Sequence, residues 1–149
     1  MAEFLLTHRG TVYPWQCDHM GHMNVMWYVG KFDEACWQLL SMIGVSSARM
    51  RDARLGMAAV AQTIQYKREL HAGDVITIHS AVLEVRNRSL RMLHKMTDDE
   101  TGELVATMEV VGVHLDFAVR KALPLPPEIR EKALSMTDQS AIAAVAACS

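Results

Sequence analysis

The chain has 149 residues, half of them hydrophobic and 21% charged, with only 8 glycines and 4 prolines, so it is neither disordered nor fibrous and has the length for one substantial core rather than two domains. Its formal net charge of -2 offers no broad basic field to nucleic acid or an anionic membrane, and no apolar run approaches the roughly 20 residues of a membrane-spanning helix. An acid stands in MAEFLLTHRG where a signal peptide carries its positive region, and the three cysteines, Cys17, Cys36 and Cys148, form neither a CxxC pair nor an even disulfide set, so a cytoplasmic chain with reduced thiols is expected.

Residues 9 to 16, RGTVYPWQ, have the β-branched and aromatic content of a first strand, with Pro14 marking an edge or a strand end. CDHMGHMN follows as a loop. From Val25 the residues Val25, Tyr28, Val29, Phe32, Ala35, Cys36, Leu39, Leu40 and Ile43 keep the i, i+3, i+4, i+7 spacing of one helix face. Asn24 is a candidate N-cap and Gly44 a candidate left-handed C-terminal residue. Met26, Trp27, Trp37 and Met42 lie off that face and leave Lys31, Asp33, Glu34, Gln38 and Ser41 as a thin polar stripe, so a largely buried helix is expected.

SSARMRDARLGM reads as a loop or short helix, and beyond it the period changes to two. Val60, Ile64 and Tyr66 share a face in AVAQTIQYKREL. HAGD at 71 to 74 makes a turn, and VITIHSAVLEV alternates Ile76, Ile78 and Val82 against Thr77 and His79. NRS turns into LRMLHKM, with Leu90, Met92 and Met96 on one face and Arg91 and Lys95 on the other. After DDETGE, the strand LVATMEVVGVHLDF carries Leu104, Ala106, Met108 and Val110 in one phase and Val111, Val113, Leu115 and Phe117 in the opposite one, which predicts a bulge beside Gly112. PLPPEIREKALSM reads as a Pro-rich loop and a short helix opening near Pro127, and about 137 to 149 as a loosely ordered, alanine-rich tail.

A strand, a long helix and then four strands joined by short turns make an α+β arrangement, read as one domain over 1–149. One helix on one antiparallel sheet leaves an edge or a face that a second copy would bury, so a homo-oligomer is expected.

The unusual segment is CDHMGHMN, residues 17 to 24, which concentrates an acid, two histidines, a glycine and an amide between a strand end and a helix start. Gly21 permits a backbone conformation closed to other residues, and the helix start offers unpaired N–H groups with partial positive charge. Together they outline an oxyanion hole, beside which Asp18 is placed to act as nucleophile or as general base on water; the alternative for Asp18 is a loop carboxylate that only accepts backbone N–H groups. His19 and His22 lack a recognised zinc spacing with Cys17 or Asp18, so no metal is expected. Cys17 has no catalytic-cysteine signature around it and reads as a structural thiol. The absence of GxSxG argues against a serine hydrolase, and the absence of GxGxxG and of a P-loop leaves redox and phosphoryl transfer unsupported.

DHMGHMNVMWYVGKFDEA resembles the DxxGHxNxxxYxxxFxxA signature of the 4-hydroxybenzoyl-CoA thioesterase-like hotdog family, and YKREL followed by GD resembles the strand that this family places after its central helix. By element order the resemblance runs over roughly residues 8 to 127. It implies a hotdog fold, an antiparallel sheet wrapped around a long central helix, with active sites at the interface of a homodimer or homotetramer. It also implies an acyl-CoA thioester as substrate, with coenzyme A as part of that substrate and no other cofactor. Asp18 matches the family's nucleophile or base, and the N–H of about Val25 matches the group that polarises the thioester carbonyl. His22 and Asn24 match the GHxN variant, with an expected role in orienting the aspartate or the attacking water. Gln16, Cys17 and Val25 depart from the common pattern, which detaches the acyl specificity from that of relatives.

For the coenzyme A phosphates the candidate cations are Lys67, Arg68, Arg86, Arg88 and Arg91, with solvated sheet-face charges as the alternative for each. Tyr13, Trp15, Trp27, Tyr28 and Trp37 form an aromatic cluster read for the most part as core; if two or three line the acyl pocket instead, an aromatic or a quaternary-ammonium acyl group, the latter held by cation–π attraction, would suit them. The substrate-binding set is therefore Trp15, Trp27, Tyr28, Tyr66, Lys67, Arg68 and Arg91. Two rivals stand beside hydrolysis: a hotdog dehydratase or hydratase drafting Asp33 or Glu34, and a non-catalytic acyl-CoA-binding protein.

Overall fold

The computed structural model describes residues 4–137, and the alanine-rich tail expected at the C-terminus lies, from residue 138 on, outside the described residues. The period-two segments become β2 (Leu55–Tyr66), β3 (Val75–Val85), β4 (Ser89–Asp98) and β5 (Leu104–Asp116), which join β1 (Leu5–Thr11) in one antiparallel sheet of order β1-β3-β4-β5-β2, with the two-residue β6 (Lys121–Ala122) against β5. The sheet's inner face carries α1 (Val25–Ile43), which packs on β1, β3 and β4. Of two short helices, α2 (Ser47–Ala53) packs against β2, and α3 (Pro127–Ser135) against β3 and α1. Among the described residues no helix is long and apolar enough to cross a membrane.

The first strand starts and stops earlier than the sequence suggested. β1 ends at Thr11, and Pro14–Gln16 form a 3-10 turn in which the Gln16 side chain accepts from the Tyr13 N–H at 3.0 Å. Proline's fixed φ suits the first position of such a turn better than a strand interior.

Both ends of α1 are punctuated as expected: Asn24 caps the start, and Gly44, at φ 110°, takes the left-handed conformation that ends it. Tyr28, Phe32, Ala35, Leu39, Leu40 and Ile43 fill the space between helix and sheet with Ile76, Ile78, Met92 and Met108. Phe32 is fully buried, a burial worth about 2–3 kcal/mol. The rest of the helix departs from the largely buried expectation. Met26 is 62% exposed, Val25, Trp37 and Met42 are exposed as well, and Lys31 of the supposed polar stripe is 7% exposed. A single sheet covers one side of a helix only, so the second apolar face stays open. Lys31 folds its stem against β1 and donates from Nζ to the Thr11 carbonyl at 3.3 Å.

The bulge also moves. β5 keeps one buried phase from Ala106 through Met108, Val110 and Gly112 to His114, so no slip occurs at Gly112. The irregularity falls opposite, between Ala59 and Ala61 of β2, which face Gly112 and Val111. β2 is the sheet's edge, where an extra residue is accommodated without breaking two ladders. Its central stretch, Ala59 to Thr63, is exposed.

Candidate active site

The loop between β1 and α1 is a tight turn pinned on two sides. Cys17 and Met23 pair as an isolated antiparallel bridge, the Asp18 N–H donates to the His22 carbonyl at 3.1 Å, and the Gly21 N–H donates to the Asp18 carbonyl at 3.0 Å. Gly21 stands at φ 88°, a conformation that costs an L-residue roughly 1–2 kcal/mol. Met23 is buried and donates to the Leu70 carbonyl at 2.7 Å, and the Asn24 N–H donates to the Gln16 carbonyl at 2.8 Å. The 3-10 turn and the segment after β2 therefore hold the two ends of the loop.

Within it the Asp18 carboxylate accepts twice, from Asn24 Nδ2 at Oδ2 and from the Met20 N–H at Oδ1, both at 2.8 Å. The Asn24 hydrogen bond foremost, then that of Met20, keep this carboxyl below the usual aspartate range, so it is ionised at neutral pH. The other end of the Asn24 amide caps α1: Oδ1 accepts from the Met26 N–H at 3.0 Å, while the Asn24 carbonyl accepts from the Trp27 N–H at 3.0 Å. Among the described residues the N–H of Val25, the first residue of α1, has no acceptor. The Asn24 amide thus ties an ionised carboxylate to a positive helix end whose first N–H has no acceptor among the described residues.

Beside Val25 opens a cleft of about 600 Å³, bordered by His22, Tyr28, Tyr66, Lys67, Arg68, Glu69 and His71. The Tyr28 hydroxyl donates to the Arg68 carbonyl at 3.1 Å, burial pushes its pKa up to about 12, and its ring meets Tyr66 edge-on at 5.2 Å. Lys67 Nζ donates to Gln65 at 3.3 Å, and the Arg68 guanidinium pairs with Glu103 at 3.2 Å. His22 Nε2 lies 3.5 Å from Glu69 Oε1.

Of the residues selected from sequence, Asp18, Asn24 and Val25 meet at the helix start, and His22, Tyr28, Tyr66, Lys67 and Arg68 share the cleft. Three do not join them. Trp15 is 68% exposed and stacks on Tyr13, ring centroids 4.4 Å apart. Trp27 packs against the edge of the core. Arg91 sits on the sheet face opposite the helix, where Nε and NH2 bind Glu109 and NH1 binds Glu84; strand alternation puts it there, since its neighbours Leu90 and Met92 face the core. Arg86 is likewise paired with Glu84, and Arg88 is exposed at the β3–β4 turn. Of the two acids drafted for a dehydratase, Asp33 is exposed and Glu34 pairs with His8 of β1 at 3.2 Å.

Sequence reasoning missed Glu69, His71 and the Gln16 carbonyl. The first two carried a signal, an acid directly after Lys67 and Arg68 and a histidine opening the HAGD turn. A backbone carbonyl carries none.

The profile of the thioesterase-like superfamily matches residues 12–133. The chain is 30% identical over 112 residues, 75% of its length, to the L-carnitine dehydrogenase/betainyl-CoA thioesterase of Agrobacterium fabrum, and spans 23% of that longer protein. It is 29% identical over 111 residues to the long-chain acyl-CoA thioesterase FadM of Escherichia coli, covering 74% of this chain and 83% of that one. Among solved structures it resembles a Staphylococcus aureus protein determined in complex with CoA, with a TM-score of 0.83 at 21% identity over 91% of this chain and 85% of the other.

Proposed function

The chain belongs to the thioesterase-like superfamily, whose hotdog fold it has, and from that premise we propose that it is a single-domain acyl-CoA thioesterase cleaving a small acyl-coenzyme A to free acid and CoA. The observation that carries the reading is the Asn24 amide, which at one end holds an ionised Asp18 and at the other caps the helix whose first N–H, that of Val25, has no acceptor.

In this reading the thioester carbonyl oxygen sits at the Val25 N–H, where the helix end stabilises the negative charge that develops on it. Asp18 attacks the carbonyl carbon, or takes a proton from a water that does. Asn24 orients Asp18. His22, whose ring meets Glu69 rather than Asp18, lies on the cleft side of the helix start. Lys67 and Arg68 give the cleft the positive charge that coenzyme A phosphates require, so the cleft is the coenzyme A side. The reaction needs water and no other cofactor.

The acyl group then lies toward the exposed apolar side chains of the loop and the helix start, Tyr13, Trp15, Met20 and Met26. The stacked, open face of Tyr13 and Trp15 suits a quaternary-ammonium acyl group by cation–π attraction, and relatives named as betainyl-CoA thioesterases support that class. A homodimer or a homotetramer covers what the monomer leaves open, namely the β2 edge and the second apolar face of α1. A coenzyme A substrate and the free thiols of Cys17 and Cys36 support a cytoplasmic setting.

Thiol release from a panel of short-chain, aromatic and cationic acyl-CoA thioesters tests the activity and identifies the acyl class. Rapid cleavage of at least one member is expected, and no release from any of them would leave acyl-CoA binding as the better reading. In single-turnover hydrolysis in ¹⁸O water, label in the enzyme's carboxylate would establish Asp18 as the nucleophile, because only a covalent anhydride can leave it there.

A further inference from the structure

Segment 67–70, which follows β2, is clasped on three sides. The Lys67 and Arg68 N–H groups both donate to the Val105 carbonyl, at 2.8 and 3.1 Å, the Arg68 carbonyl accepts from Tyr28, and the fully buried Leu70 accepts from the Met23 N–H. Glu69 stands between these anchored residues, so its backbone is fixed to the catalytic loop and to the helix. The Lys67 and Arg68 side chains turn to Gln65 and Glu103, whereas Glu69 turns to His22. His71 approaches the same imidazole edge-on, ring centroids 6.4 Å apart.

A carboxylate is out of place in a cleft that receives phosphates, because it repels them. It is in place if it serves a cationic imidazole. We propose that Glu69 is a positioning residue that holds His22 in the cleft where the coenzyme A thiol departs, so that the imidazolium delivers a proton to the leaving sulfur. The inference rests on the thioesterase reading of this site. When the tetrahedral adduct collapses, the carbon–sulfur bond breaks, its electron pair goes to sulfur, and the proton from the His22 ring forms the S–H bond. Water supplies the new oxygen, whether it attacks directly with Asp18 as base or hydrolyses an Asp18 anhydride, and the proton it gives up returns through solvent to the imidazole, restoring both groups with no redox partner.

The test compares wild type, Glu69→Gln, His22→Gln and the double variant on two thioesters of the preferred acyl group: the coenzyme A thioester, and the thioester of an acidic aryl thiol whose thiolate leaves unaided. On the coenzyme A thioester, Glu69→Gln is expected to lower kcat on the order of tenfold with KM no higher, and the double variant to be no worse than His22→Gln. On the aryl thioester all variants stay near wild type. Equal losses on both thioesters, additive losses in the double variant, or a wild-type kcat for Glu69→Gln would overturn the proposal.

A second readout needs no turnover. In ¹⁵N-histidine-labelled protein the His22 ring signals, identified by their loss in His22→Gln, are expected to shift in Glu69→Gln, and unchanged signals would also overturn it. Asp18→Asn, assayed alongside, separates the two levels. If it keeps full activity, the reading of Asp18 fails whatever Glu69 does. If it is inactive on both thioesters while Glu69→Gln matches wild type, only the role of Glu69 fails.

Discussion

The Asn24 side chain donates from Nδ2 to Asp18 at 2.8 Å while its Oδ1 caps the Met26 N–H at 3.0 Å. One residue therefore both starts the central helix and fixes the acid, and the two jobs use opposite ends of one amide. Aspartate can do the first job and not the second.

Replacing Asn24 by Asp should accordingly keep the cap, with stability within about 1 kcal/mol of wild type, and lower kcat at least on the order of tenfold because the Asp18 carboxylate loses a donor and gains a like charge. Asn24→Ala should lose both functions, at about 1 kcal/mol in stability. Urea unfolding beside steady-state kinetics checks both, and a wild-type kcat in either variant would detach Asn24 from Asp18.

Gly21→Ala tests the turn itself. An added Cβ would meet no atom within 4 Å, so its cost comes from the φ of 88° alone, about 1–2 kcal/mol. Because that turn positions Asp18 against His22, kcat should fall by more than this stability loss implies at a temperature where the variant remains folded. Thermal unfolding and kinetics on one preparation check it.

The cleft assignment predicts a contrast among cations. Lys67→Ala and Arg68→Ala should raise KM for the coenzyme A thioester, with a weaker salt dependence of KM than in wild type. Arg91→Ala should leave KM unchanged and lower the Tm, since Arg91 bridges Glu84 and Glu109 on the far face of the sheet.

His94 sets an acid limit on the fold. It is fully buried on β4, its Nδ1 bonds Ser80 Oγ at 2.5 Å, its Nε2 has no partner among the described residues, and burial pushes its pKa down to about 3. Above the unfolded value of 6.5 both states are neutral and stability is full. As pH falls from about 6.5 toward 3 the unfolded chain takes a proton that the folded one refuses, so stability drops by about 1.4 kcal/mol per pH unit. His94→Leu, which leaves Ser80 its bond to Thr7 at 2.7 Å, should lose about 2 kcal/mol less than wild type between pH 6.5 and 4.5 in urea unfolding.

These sites divide along what a one-dimensional pattern can carry. The α1 stripe, both of its caps and the chain order of helix and strands were legible because each is a local periodicity or a local conformational demand, whereas the sheet order was not: a meander would set β2 beside β3, and it pairs with β5 instead. Nor was the extent of burial on α1, since apolar content on a helix does not say how many sides are covered, and here the far side faces outward. The bulge was misread because the adjacent apolar residues Val110 and Val111 imitate a phase slip in β5 although only one phase there is buried, whereas the extra residue of β2 leaves no such mark in the pattern. Asp18, Asn24 and Val25 came from one contiguous motif, whereas Glu69 reaches His22 across 47 positions. The face of Arg91, opposite Leu90 and Met92, was legible from strand alternation, but its ion pairs with Glu84 and Glu109, which engage it away from the cleft, were not.

Thiol release from the preferred acyl-CoA by wild type and by Asp18→Asn, measured side by side with their Tm values, tests the central claim most directly. The geometry predicts that wild type turns over and that Asp18→Asn falls by about 100-fold or more with the Tm little changed, and a folded Asp18→Asn protein that hydrolyses as fast as wild type would contradict it.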